Sequence, residues 1–132
     1  LSRLQYRIIS VFALFVTLLV LLLPGEYLAV LSGWWPWQAG ARAVSHSHLD
    51  KLVHASLFAA CGYFIVLGWL SKNTQILPLY LGLLVLGGCT EWLQAEIPGR
   101  GPDAWDVVAD AAGAVVGVAL GLYLLRRKPP LS

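Results

Sequence analysis

Four long apolar runs divide this chain: Ile8 to Leu23, Leu52 to Leu70, Ile76 to about Leu93, and Val107 to Leu125. Crossing a bilayer core takes about 20 apolar residues in a helix, so four runs with their connections nearly exhaust the 132 residues. Composition agrees with this reading. The chain is 58% hydrophobic and 12% charged, with a mean hydropathy of +0.73, whereas a soluble domain is about 45–50% apolar and about 25% charged. The expected fold is therefore all-α, a polytopic membrane protein built as a four-transmembrane-helix bundle, with residues 1–132 as a single domain. Membrane lipids are its expected surroundings. No basic run points to nucleic acid.

The ends of the runs set the connections. Arg3 and Arg7 precede the first, and Pro24-Gly25 stop it. A cleavable signal peptide would share that pattern, but a 16-residue core with no prompt small-x-small site argues for a span. Residues 24 to 49 form a long connection with Glu26, Tyr27, Trp34, Trp35, Pro36, Trp37 and His46-Ser47-His48; tryptophan at this density suits the headgroup zone. Ser71 to Gln75 make a turn short enough to predict that the second and third helices are antiparallel neighbours. Pro98-Gly99 breaks the third run, and Arg126-Arg127-Lys128-Pro129-Pro130 closes the fourth. Cys61 and Cys89 fall at different depths along their helices, too far apart for the Cα separation of about 7 Å that a disulfide tolerates. Both are expected to be small packing residues.

Folding the chain across a membrane four times sorts its charges. One side receives both termini and the 71–75 turn, hence Arg3, Arg7, Lys72, Arg126, Arg127 and Lys128, six of the nine cations and no acid. The other side receives Arg42, Lys51 and Arg100 with all seven acids, Glu26, Asp50, Glu91, Glu96, Asp103, Asp106 and Asp110, a formal balance of minus four. Short cytoplasmic loops collect Lys and Arg, so the termini are expected in the cytoplasm and the acidic end outside. Acids do not set topology, so their segregation needs another cause.

Polar pairs at helical spacing occupy the acidic end of each helix. Asp50, Lys51 and His54 share a face at the start of the second helix, Glu91 and Gln94 at the end of the third, and Asp106 and Asp110 at the start of the fourth. Glu91 lies about 22 Å of helix beyond Ile76, short of the roughly 30 Å of hydrocarbon, and is expected below the interface. An ionised group there costs roughly 2.5–3.5 kcal/mol at the centre of the bilayer and less toward its edge unless paired. Lys51, Arg100 and protonated His54 are the candidate partners. Asp50 and Asp106 also suit helix N-caps; capping does not account for Glu91 or Asp110, for which a structural network and a ligand site both remain open. His46-x-His48, completed by His54, Glu91 or Asp106, offers a metal reading. Without HExxH or CxxC support the loop pair reads as solvated, so no metal and no cofactor is assigned.

Gly113, Gly117 and Gly121, extended by Ala109, align on one stripe of the fourth helix. This small-xxx-small spacing permits close helix contact in lipid, either inside the bundle or against another protein.

Taken in order, Asp50-Lys51-x-x-His54, Glu91-x-x-Gln94, Pro98-Gly99-Arg100, Asp106 and Gly113-x-x-x-Gly117 resemble the VanZ-like family of small bacterial membrane proteins, over about residues 50 to 121. The resemblance implies a four-helix inner-membrane protein with its polar motif near the outer face. Founding members of that family are associated with lowered susceptibility to teicoplanin. Asp110 stands where the family often has Asn, and the tryptophan-rich connection lies outside the pattern.

Three functional expectations follow. The first is an outward polar pocket of Asp50, Lys51, His54, Glu91, Gln94, Arg100, Asp106 and Asp110 that binds a lipid headgroup, a cell-envelope intermediate or a glycopeptide, with Lys51 and Arg100 as anion anchors. The second makes the pocket a lipid-phosphate hydrolase or transferase, with His54 or Glu91 as general base. The third makes the chain an accessory subunit of a larger membrane complex, docked through the glycine stripe or the tryptophan-rich connection.

Overall fold

The structure, a computed structural model, describes residues 1–24, 26, 27, 30 and 46–127, without the side chains of His46 and Ser47. Trp34, Trp35, Trp37, Arg42 and Lys128 therefore lie outside the described residues. Among the described residues four long helices are present: α1 Arg3–Leu21, α2 His46–Trp69, α3 Ile76–Gln94 and α4 Ala104–Arg127, with a 3₁₀ turn, Asn73–Gln75, before α3. Each is long and apolar enough to cross a membrane, as the hydropathy runs predict. Large apolar side chains of α1 such as Leu4, Ile8, Val11, Phe12 and Phe15 are exposed, and such a face suits contact with lipid.

α1, α2 and α4 start earlier than their apolar runs because hydropathy records the span and not the helix, while α3 starts with its run at Ile76. At α1 the Gln5 amide donates to Ser2 Oγ (3.3 Å) and the Ser2 amide to Gln5 Oε1 (2.7 Å), a reciprocal cap that satisfies two first-turn donors. The helix ends at Leu21, ahead of Pro24, whose ring disfavours helical geometry in the residue before it. α2 begins at His46, not at Asp50 as expected, since Ser47, His48, Asp50 and Lys51 are polar but contain no breaker. α4 begins at Ala104 because Asp103 and not Asp106 acts as its cap: Asp103 Oδ1 accepts from the Trp105 amide at 2.8 Å. Between α3 and α4, Arg100 donates its amide to the Ile97 carbonyl (3.1 Å) across Pro98 and Gly99. Gly99 has φ 75°, as the third residue of a type II turn requires.

Packing departs from the expected order. α2 and α4 make by far the most extensive contact, followed by α1 with α2 and α3 with α4, whereas α2 and α3 barely touch despite their short connection. The helices are thus arranged α1, α2, α4, α3, with α4 taking the place next to α2. The glycine stripe is the cause. A Cβ on Gly113 would lie 2.8 Å from Ala55 Cα, and one on Gly117 would lie 2.9 Å from Ala59 Cα. Backbone meets backbone there, so nothing flexible can yield. Small residues permit such approach in lipid, where packing and not apolar burial drives association. Phe58, Cys61, Ala114, Leu83 and Leu21 form the central cluster beneath, and Val66, Leu70 and Val118 a second one. Cys61 is buried beside Thr17 Oγ1 (3.2 Å), Cys89 is exposed, and both are free.

At its other end α1 is fixed to α2 by polar contacts. Arg7 Nε donates to the Gly68 carbonyl (3.0 Å), Trp69 Nε1 donates to Ser10 Oγ (3.0 Å), and the Arg7 guanidinium lies 4.8 Å over the Trp69 ring. This cation–π contact makes the basic foot of the first span a structural element.

Gly117→Ala is expected to destabilise the fold by about 1–3 kcal/mol, the usual range for forcing atoms into a closed contact. Gly88→Ala should not, because a Cβ there meets nothing within 4 Å. Steric-trap or denaturant unfolding in a mild detergent compares the two; equal effects would mean that the α2–α4 contact is looser than described.

Candidate functional site

The eight residues singled out in the sequence meet at one end of the bundle. His54 sits eight residues into α2, about 12 Å along the axis, and is fully buried; Glu91, Gln94, Asp106 and Asp110 are 5% exposed or less. Asp50 and Lys51, one turn nearer the end of α2, form a half-exposed rim.

His54 is the hub. Its Nδ1 lies 2.9 Å from Asp110 Oδ1 and 3.8 Å from Glu91 Oε1, and its Nε2 lies 4.0 Å from Asp106 Oδ2. A carboxylate accepts, so Nδ1 donates to Asp110; in the neutral ring that tautomer puts the lone pair on Nε2. Among the described residues that Nε2 has no hydrogen-bond partner, and neither do Glu91 Oε1 and Asp110 Oδ2. Gly87 accounts for the position of Asp110: a Cβ there would lie 2.8 Å from Asp110 Oδ2, so only glycine on α3 leaves room for that carboxylate. Buried groups left in this state are uncommon in folded proteins and call for a reason.

Both cations are committed to carboxylates. Lys51 Nζ donates to Asp103 Oδ2 (2.5 Å) and Asp106 Oδ1 (3.0 Å). Arg100 reaches Asp50 Oδ1 at 3.5 Å and the Leu21 carbonyl at 2.9 Å. Neither touches Glu91 or Asp110, for which the sequence had offered them as partners. Glu91 Oε2 instead accepts the Asp103 amide (2.9 Å), which fastens the α3–α4 loop over the cluster. Gln94 Nε2 also donates to the Leu21 carbonyl (2.9 Å). The last carbonyls of a helix lack partners within it, so Gln94 and Arg100 close α1 while tying it to the site.

Two residues of the site were not in the predicted set. Asp103 carries the cap of α4, the Lys51 pair and the amide held by Glu91; its position after Pro102 and just before the fourth apolar run is a recognisable N-cap signal. Leu21 contributes only its carbonyl, which no side-chain pattern records. The loop histidines do not join the cluster: His48 is exposed, and the side chain of His46 lies outside the described residues.

Counting Asp50, Glu91, Asp103, Asp106 and Asp110 against Lys51 and Arg100, the site carries five acids and two cations, a formal minus three before His54 is considered. Two sets of donor atoms are close enough to share an ion: Asp50, His54 and Asp106, and His54, Glu91 and Asp110, each within 4.8 Å of one another. The Lys51 ammonium beside Asp103 holds its carboxyl below the usual carboxylate range, helped by the Trp105 amide.

Compared with protein-family models, with curated proteins and with solved structures, the chain matches none.

Because the Asp103 pKa is lowered by folding, its contribution to stability is present above the ordinary carboxylate range and is lost as pH falls through the folded-state value. Lys51→Gln should raise the Asp103 pKa toward its ordinary value and shrink that acid-side loss. Carbon-13 carboxyl NMR against pH reads the shift; an unmoved Asp103 would mean that Lys51 does not govern it.

Proposed function

We propose that this chain is a VanZ-like protein of the bacterial inner membrane, with both termini cytoplasmic and its acid-rich end outward, where it receives the polar head of a cell-envelope amphiphile. The supporting observation is the convergence of Asp50, Lys51, His54, Glu91, Gln94, Arg100, Asp106 and Asp110, drawn from three helices and a loop, into one cluster whose negative surplus its own cations do not cancel. Lysines and arginines at the opposite end, Arg3, Arg7, Lys72, Arg126 and Arg127, support the cytoplasmic assignment. With Lys51 and Arg100 already paired, the head favoured at the rim is an amine-bearing one, as in an aminolipid or a glycopeptide, and not a bare anion. Asp50 and Asp103, each about two-fifths exposed at the side chain, are the carboxylates it would meet first.

A lipid-phosphate hydrolase or transferase is the second reading. It is favoured by the His54 ring being oriented through Nδ1 by Asp110, the arrangement of a general base steered by a third group. Full enclosure of His54 speaks for binding ahead of turnover. The accessory-subunit reading has less to rest on, since the glycine stripe packs inside the chain.

In nanodiscs, the protein is expected to bind teicoplanin, and to prefer phosphatidylethanolamine over phosphatidylglycerol, with Asp50→Asn weakening both. Binding indifferent to Asp50→Asn, or a preference for the anionic lipid, would reject the reading. Release of phosphate from a lipid phosphate, lost in His54→Gln, would replace it with the hydrolase.

A further inference from the structure

We infer that the cluster is a divalent transition-metal site, with the ion held by His54 Nε2, Asp106 Oδ2 and the Asp50 carboxylate. Three independent features of the geometry converge on this. The first is donor placement: one ligand atom each from Asp50, His54 and Asp106 lies within 4.8 Å of the others, so an ion among them needs only a small inward adjustment to reach bonds of about 2.0–2.2 Å. The second is the orphaned nitrogen. His54 is fully buried, its Nε2 has no hydrogen-bond partner among the described residues, and it faces Asp106 Oδ2 at 4.0 Å. Nothing among the described residues satisfies the Nε2 lone pair of the neutral ring, and a cation would.

The third feature is the support behind each donor. A metal-bound histidine donates its other nitrogen to a carboxylate, and ligating carboxylates are themselves hydrogen-bonded. Here His54 Nδ1 donates to Asp110 (2.9 Å), Asp106 Oδ1 accepts from Lys51 (3.0 Å), and Asp50 Oδ1 faces Arg100 (3.5 Å). Each of the three side chains thus has one atom engaged by a neighbour and a second atom, His54 Nε2, Asp106 Oδ2 or Asp50 Oδ2, outside these bonds.

Charge and access fit as well. A dication reduces the formal surplus of three negative charges to one, at a depth where unpaired charge is costly. Asp50 is half-exposed, which gives an ion a way in from the rim while His54 and Asp106 stay enclosed. One imidazole and two carboxylates, with no thiolate, suit zinc or manganese. Three protein ligands leave a coordination position open for water or for a group of a bound molecule. The alternative set, His54 with Glu91 and Asp110, is less suitable because His54 Nδ1 and Asp110 Oδ1 are already spent on each other.

Zinc or manganese alone is the probe, so the outcome does not depend on any amphiphile. Detergent-solubilised protein, stripped with chelator and titrated by competition with a fluorescent chelator, is expected to take up one equivalent. Asp50→Asn, His54→Gln and Asp106→Asn should each weaken uptake by at least the 10–100-fold typical of losing an outer-shell partner, and Asp110→Asn should weaken it within that range. Glu91→Gln should matter less than Asp50→Asn. Retention of the equivalent by the His46→Gln/His48→Gln double variant is also expected. If buried variants fail to insert, Asp50→Asn on the rim still carries the test. The assignment is overturned by absence of uptake, by uptake indifferent to Asp50→Asn, by loss in the double histidine variant, or by Glu91→Gln outranking Asp50→Asn.

Discussion

The contact of α2 with α4 is the constraint from which the rest of the structure follows. In lipid there is no apolar driving force to hold helices together, and close packing must replace it. Gly113 and Gly117 bring the α4 backbone onto Ala55 and Ala59, and the same two helices carry His54, next to Ala55, and Asp110, three residues before Gly113, at the acidic end of that contact. A helix pair at this separation leaves room for a short polar bridge and for little else. The His54–Asp110 bond at 2.9 Å is therefore a consequence of the glycine stripe as much as of the two residues that make it. Gly87 extends the same logic to α3, whose lack of a Cβ gives the Asp110 carboxylate its place.

Above this contact the polar groups are arranged in layers. Deepest are His54 and Asp110; above them come Glu91 and Asp106; Lys51, Asp50, Asp103 and Arg100 form the rim. Two rim cations, Lys51 and Arg100, face three carboxylates, Asp50, Asp103 and Asp106, so one formal negative charge is unmet there and two more lie inward, on Glu91 and Asp110. A structural network evolved only to join helices would gain from the reverse, since breaking or under-pairing buried charge costs more than exposed pairs return. The inward surplus is the physical reason for reading the cluster as a site. Its loop is also held to it: the Asp103 amide rests on Glu91 while its carboxylate rests on Lys51, so α2, α3 and α4 cannot separate at this end without releasing several bonds together.

Much of this was legible in the sequence, and what was not has identifiable causes. Hydropathy located four spans because the membrane imposes a length on them. It missed helix starts at His46 and Ala104 because polar residues in an interface continue a helix that hydropathy no longer scores. Spacing rules placed Asp50 with His54, Glu91 with Gln94, and Asp106 with Asp110 on shared faces, and the structure brings these pairs into one cluster. Connection length misled where it was used to choose neighbours. A short turn makes α2 and α3 antiparallel, but it does not decide which helix lies against α2 along its whole length. That depends on which surface is flat enough, and the glycine stripe already named that surface. The pairing of Lys51 and Arg100 with particular acids, and the capture of the Leu21 carbonyl by Gln94 and Arg100, depend on tertiary distances that no one-dimensional pattern contains.

The place of α1 follows from the same reasoning. It packs on α2 and scarcely on α3 or α4, with its buried residues Tyr6, Ser10, Thr17 and Leu21 on one stripe. Fixed at the basic end by Arg7, Ser10 and Trp69 and at the acidic end by its own terminal carbonyl, it is clamped at both ends of α2 while its outer face remains apolar. Gln94 and Arg100 reach that carbonyl from α3 and the α3–α4 loop, which α1 otherwise hardly meets. The end of α1 is thus coupled to the site through the hydrogen bonds to its Leu21 carbonyl, while the Leu21 side chain packs into the central cluster. A change at the rim that displaced Arg100 from Asp50 would also loosen the terminus of α1, and with it the start of the connection that leads back to α2 and His54.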